Sequence, residues 1–265
     1  LLLLLIHLPN SIVLRGWQWY RRTNDTMIDT RFTPANLRPA FRKLIPLVYL
    51  AELFIILSMT LTVTEPYRDL DDGQRLFGIE QEWLTSSANQ SALSIREKGY
   101  IPLWQPYLEY GEPLVENPFA FVFNPLSSLP SMLWGAVNGI KISLVIYVFF
   151  AGLGGWFLGH VLGFGSVGRV MLALLLVGKG NMHAMLEDGY FQLGVSQAYM
   201  PWIVAGAITT IRHWQERWSP VLLAVMIMLL CYAGNIWYTL PMIASVGLLA
   251  VTHLLFFQGK VSIFR

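Results

Sequence analysis

The chain has 265 residues, 55% of them hydrophobic and 13% charged, with a mean hydropathy of +0.51. That is more apolar surface than a soluble core of this length can hide, so the composition points to an all-α polytopic membrane protein. A net charge of +2, segregated by loop, argues against a nucleic-acid partner, and the single cysteine, Cys231, excludes a disulfide framework or a cysteine-based metal site.

The opening LLLLLIHLPNSIVL carries no initiator Met and reads as the continuation of a longer chain. With no basic region before it and no small-residue cleavage site after it, it is not read as a signal peptide. A membrane crossing needs about 20 apolar residues. Seven stretches are predicted to supply membrane helices, at roughly 1–14, 44–64, 140–163, 169–186, 196–211, 219–238 and 241–257. The chain then divides into a partial N-terminal membrane helix with its basic loop (1–43), a membrane core (44–212) with a long external loop (65–137), and a C-terminal helical hairpin with a basic tail (213–265).

Between the first two segments, Arg15 to Lys43 holds seven basic residues against Asp25 and Asp29, which places this loop on the cytoplasmic side. The next segment crosses outward into a loop that has ten acids and four basic residues between Glu65 and Glu116. If residues 119–137 do not cross, Arg169, the RHWQER turn and the C-terminal basic tail all fall inside, while Glu187 and Asp188 fall outside. The charge pattern therefore predicts that FAFVFNPLSSLPSMLWGAV is re-entrant or interfacial, and Pro125 and Pro130 argue against one regular span. Within the loop, SSANQSALSIREKG is predicted to form an interfacial helix that starts at Ser86 or Ser87 and ends at Gly99, with Leu84, Ala88, Ala92 and Ile95 on one face.

Three places carry candidate chemistry. EPYRDLDDGQR puts Asp69, Asp71 and Asp72 within four residues at the outer mouth of a membrane helix. These carboxylates suffice to bind a divalent cation or to supply a general base; a solvated acidic turn with a capping Asp is the plainer reading of the spacing. KGNMHAMLEDGYFQLGVSQAYMPW brings Lys179, His183, Glu187 and Asp188 to the same side, with His183 and Glu187 one turn apart. Lys179 suits a phosphate and the two acids suit sugar hydroxyls or a cation; an ion-paired helix end is the plainer reading. Glu52, alone in an apolar run, is expected to pair with a loop arginine. His7, His160 and His253 are either satisfied helix histidines or metal-porphyrin ligands. No nucleotide loop, zinc spacing or nucleophile elbow occurs, and the glycines of AGLGGWFLGHVLGFGSVG read as close helix packing.

The order of these features resembles the first external region of GT-C superfamily membrane glycosyltransferases, and in particular the bacterial YfhO-like multi-spanning proteins. The matching run is IPLWQPYLEYGEPLVENPFAFVFNPLSSLP, preceded by the acidic turn and followed later by HAMLEDGYFQLGVSQAYMPW; the resemblance spans roughly residues 44–212. It implies inverting transfer of a sugar from a polyprenyl-phosphate carrier at the outer face of the bacterial inner membrane. Membrane lipid and lipid-linked sugar are then the partners. By the same resemblance the base lies among Asp69, Asp71 and Asp72, with Asp69 nearest the helix mouth, and Arg68, Arg75 or Lys179 supplies charge to the phosphate. The alternative is a non-catalytic membrane subunit that keeps the scaffold and packs against other membrane subunits.

Overall fold

The computed structural model describes residues 39–71, 73, 76, 78–105, 111–114, 123–212, 218–233 and 236–257. The expected segment 1–14, the basic loop up to Arg38, Asp72, Arg75 and the basic tail lie outside the described residues. The chain forms two compact units, residues 1–51 and 52–265. Helix α1 (Pro39–Val63) supplies the described part of the first unit, and from Glu52 onward it belongs to the second.

The second unit continues with a 3-10 turn (Glu65–Tyr67), α2 (Ile79–Lys98), and the two-residue antiparallel strands β1 (Trp104–Gln105) and β2 (Glu112–Pro113). It then runs through α3 (Pro125–Trp134), α4 (Ala136–Val161), α5 (Ser166–Val177), α6 (Gly180–Glu187), α7 (Phe191–Arg212), α8 (Trp218–Cys231) and α9 (Ile236–Phe257). Among the described residues, three helical stretches are long and apolar enough to cross a membrane: Pro46–Val63, Ala136–Val161 and Ser166–Glu187. The last comprises α5 and α6. The chain is thus α-helical with membrane-length apolar helices, as its composition requires.

α4 and α7 are the buried centre, and the α4 glycines let neighbours approach. A Cβ at Gly154 would lie 2.7 Å from Trp202 of α7, and one at Gly155 would lie 2.7 Å from Leu176 of α5. Trp202 fills the α4–α7 seam, stacking on Phe150 at 4.9 Å and donating from Nε1 to the Phe150 carbonyl at 2.9 Å. The GLGG stretch therefore serves helix packing, the physical role that small residues have where apolar helices meet.

α3 runs antiparallel to the first half of α4. Asn124 caps its start by accepting from Leu126 N–H at 3.2 Å, Pro125 occupies the first turn, and Ser127 Oγ lies 2.8 Å from the Tyr147 hydroxyl, three turns into α4. Four residues later Ser131 meets Gly139, where an added Cβ would sit 2.3 Å from Ser131 Cα. The chain then turns at Gly135, at φ +83°, into α4. At ten residues α3 rises about 15 Å, half of a membrane core.

α2 differs from expectation at its start. It begins at Ile79 behind Gly78 instead of at Ser86 or Ser87, and it ends at the left-handed Gly99. Its extra turns reach α7, where Glu80 makes a hydrogen bond that the local sequence does not announce. Leu84, Ala88 and Ala92 are buried as one face, and Arg96 donates to the Met132 carbonyl of α3.

Candidate functional site at the acidic end of the helices

The mouth of α1 is built by its last residues. Thr60 and Thr64 return their hydroxyls to the carbonyls of Ile56 and Thr60 at 2.9 and 2.7 Å, so both buried hydroxyls are satisfied within the helix. Pro66 cannot continue the helix ladder, and Tyr67 N–H bonds back to the Thr64 carbonyl at 3.0 Å, folding the chain into the 3-10 turn. The acidic turn follows at once.

Lys141, in the second turn of α4 and 3% exposed, donates from Nζ to the carbonyls of Asp69 at 2.6 Å and Asp71 at 2.7 Å. Its charge is thereby directed at backbone, and the Asp69 and Asp71 side chains remain exposed. Asp71 Oδ1 accepts from Gly73 N–H at 2.9 Å, a local turn of the kind Asp favours. Arg68 is exposed beside them.

The second acid-bearing loop meets the first at three points. Tyr67 is buried against Glu187; burial first, and then the charge of Glu187 and its hydrogen bond, push the Tyr67 phenol up to about 12. Gly78 at φ +129° abuts Gly189, where an added Cβ would lie 2.4 Å from Gly189 Cα. Glu80 Oε2 accepts from Gln192 N–H at 2.9 Å, placing a carboxylate at the start of α7, where the helix dipole favours it. Burial nonetheless raises the Glu80 carboxyl above the ordinary glutamate value, with the Gln192 hydrogen bond offsetting part of the rise.

Of the sequence candidates, Asp69, Asp71, Arg68 and Glu187 therefore gather at one end, and Asp188 is exposed at the same loop. Lys179 and His183 have other partners. Lys179 Nζ donates to Gln197 Oε1 of α7 at 2.6 Å, and His183 Nε2 lies 2.8 Å from the Val177 carbonyl, closing the break between α5 and α6. Among the described residues, no group of three or more His, Cys, Asp or Glu side chains is placed to hold a metal ion.

Glu52 lies at the opposite end and is paired, as expected, with an arginine. Arg169 Nη2 contacts Glu52 Oε1 at 2.6 Å, and Trp156 Nε1 and Ser166 Oγ donate to the same carboxylate. The four side chains join α1, α4 and the start of α5. At that end, too, Arg212 donates to the Val161 carbonyl at 2.7 Å.

Sequence reasoning missed Lys141, Tyr67 and Glu80. A lone lysine at the edge of an apolar segment was a usable signal for Lys141, since such groups need partners; the other two had none. No family model matches the chain, and neither a characterised protein nor a solved structure matches it.

Proposed function

We propose that this protein is a GT-C-like membrane glycosyltransferase that takes a sugar from a polyprenyl-phosphate carrier at the membrane face bearing its acidic turn. One observation carries the reading: the loops 65–80 and 178–192, separated by about a hundred residues, interlock through Tyr67 and Glu187, Gly78 and Gly189, and Glu80 and Gln192. Beside that junction Lys141 holds the backbone of Asp69 and Asp71 and leaves both side chains exposed, with Asp71 Oδ1 accepting from Gly73 N–H.

In this reading Asp69 accepts the proton of the acceptor hydroxyl as its oxygen forms a bond to the anomeric carbon. The bond from that carbon to the carrier phosphate breaks, and the electron pair leaves with the polyprenyl phosphate. Asp71 and Glu187 orient hydroxyls, and Arg68 meets the phosphate charge. Arg75 and Asp72 belong to the same loop and are proposed for the same roles. The membrane is the bacterial inner membrane, with residues 15–43 and the C-terminus cytoplasmic. The short rise of α3 and its antiparallel return along α4 support a segment that enters the bilayer and comes back.

The pairing of Lys179 with Gln197 and of His183 with Val177 favours a second reading, a non-catalytic subunit whose scaffold has lost its phosphate site. A sugar-transfer assay with polyprenyl-phosphate donors separates the two. Transfer by the wild type that falls by at least a hundredfold, on the order expected for loss of a general base, in Asp69→Asn supports the enzyme. Absence of transfer by the wild type, or equal rates in both, overturns it.

A further inference from the structure

A set of buried polar atoms inside the bundle is used by neither the acidic turn nor the Glu52 pair. Asn124 is fully buried at the tip of α3, and its Oδ1 accepts from both Leu126 N–H and the Tyr199 hydroxyl, the latter at 3.0 Å. Those two donors fix the orientation of the amide, so Nδ2 is its remaining donor, and it has no partner among the described residues. Among the described residues four more buried atoms share this condition, Asn138 Oδ1, Gln192 Nε2, Ser196 Oγ and Thr210 Oγ1, and two of them, Gln192 Nε2 and Ser196 Oγ, lie on the stretch of α7 that approaches Asn124. Gln192, Ser196 and Tyr199 are spaced i, i+4 and i+7, so they form one stripe of α7 that ends where Tyr199 meets Asn124. The stripe begins in the turn of α7 that Glu80 caps at the acidic end and extends about 10 Å toward the tip of α3.

Each buried polar atom without a partner costs about 1–3 kcal/mol, and three of them lie on one face of α7 or on the Asn124 that this face meets through Tyr199. The groups are all neutral. The first N–H groups of α3 are already taken by Asn124, so the site offers no backbone cradle for a phosphate. It offers amide donors and a hydroxyl, which match oxygen atoms that both accept and donate.

We propose that this stripe, from Gln192 through Ser196 to Asn124, is a binding subsite for the neutral, hydroxyl-bearing headgroup of a membrane amphiphile that enters from the acidic end. Ligand hydroxyl oxygens accept from Asn124 Nδ2 and Gln192 Nε2, and Ser196 exchanges a hydrogen bond with a third. The subsite does not depend on any transfer chemistry and stands whether or not the acidic turn is catalytic.

The test is a titration of the full chain in detergent micelles, with bound amphiphile counted by native mass spectrometry. The probes are dodecyl β-glucoside, whose headgroup is a sugar, and monooleoylglycerol, whose glycerol headgroup offers two hydroxyls and an ester oxygen. Wild type, Ser196→Ala and Gln192→Leu are compared, and both substitutions remove an unpaired polar atom without removing a cap. The expected result is one equivalent of a probe bound by the wild type and about tenfold weaker binding in each variant, with thermal stability equal to or above wild type. The probe retained identifies the source of the hydroxyl as sugar or glycerol. Failure of both probes to bind, or equal affinity in all three proteins, overturns the proposal and leaves internal water as the partner of these atoms.

Discussion

Lys141 and Asp69 stand 72 residues apart, and the ammonium of the first donates to the carbonyl of the second at 2.6 Å while the Asp69 carboxylate faces outward. A buried cation is thus applied to the backbone of an acidic turn, leaving its side chains available. Replacing Lys141 with Met removes two charge-assisted hydrogen bonds and is expected to cost about 1.5–3 kcal/mol. Amide hydrogen exchange should then accelerate at residues 67–73 and stay unchanged in α7. Equal protection of the turn in both proteins would show that the clamp is dispensable.

Arg169→Met is expected to cost up to about 3 kcal/mol, because it leaves Glu52, 2% exposed, without its counter-ion. Trp156 and Ser166 still donate to the carboxylate, which holds the loss at that level. The double variant Glu52→Leu with Arg169→Met should recover most of the stability. A double-mutant cycle by thermal unfolding measures the coupling, and additive losses would contradict the pairing.

Tyr67 provides a test in alkali. Its folded pKa, pushed from 10.0 up to about 12, is raised, so its contribution to stability is fully present below 10 and is lost as pH rises toward 12. Glu187→Gln should lower this pKa only partway, since burial is the larger cause and the acid the smaller. Phenolate absorbance of wild type, Glu187→Gln and Tyr67→Phe isolates the residue. A value returning fully to 10 in Glu187→Gln would mean that the acid, not burial, dominates.

Glu80 is raised as well, so folding disfavours its ionisation relative to the unfolded chain. Its contribution is fully present below 4.5 and is lost as pH climbs through the elevated folded value. Glu80→Gln keeps an acceptor for Gln192 N–H and removes the titration. The wild type should lose stability with rising pH just above the ordinary glutamate range, and the variant should lose less; parallel profiles would refute this.

Gly139→Ala carries a sign opposite to that of an ordinary helix glycine. In an unconstrained helix interior the change gains up to about 1 kcal/mol. Here the new methyl would lie 2.3 Å from Ser131 Cα and 2.5 Å from its nitrogen, both backbone atoms. The expected outcome is a loss of about 1–3 kcal/mol with α3 displaced from α4, read by thermal unfolding and by loss of the Ser127–Tyr147 hydrogen bond.

Much of the helical framework was legible in the sequence, because hydropathy and segment length act locally along the chain. The runs around 44–64 and 140–163 became α1 and α4. The partner of Glu52 was legible as a requirement, since an acid in an apolar helix needs one, although Arg169 lies 117 residues away. The start of α2 was not legible: the turn that holds Glu80 is tied to Gln192 of α7, a contact that the local sequence does not announce.

The sequence by itself determined that this is a helical chain with membrane-length apolar segments and acids concentrated in two loops. Only the tertiary structure decided which charges meet. Hydropathy is a property of each segment alone, whereas a hydrogen bond between helices depends on their order, direction and depth. Hence Tyr67 found Glu187, Lys141 turned to backbone instead of carboxylate, and Lys179 turned to Gln197.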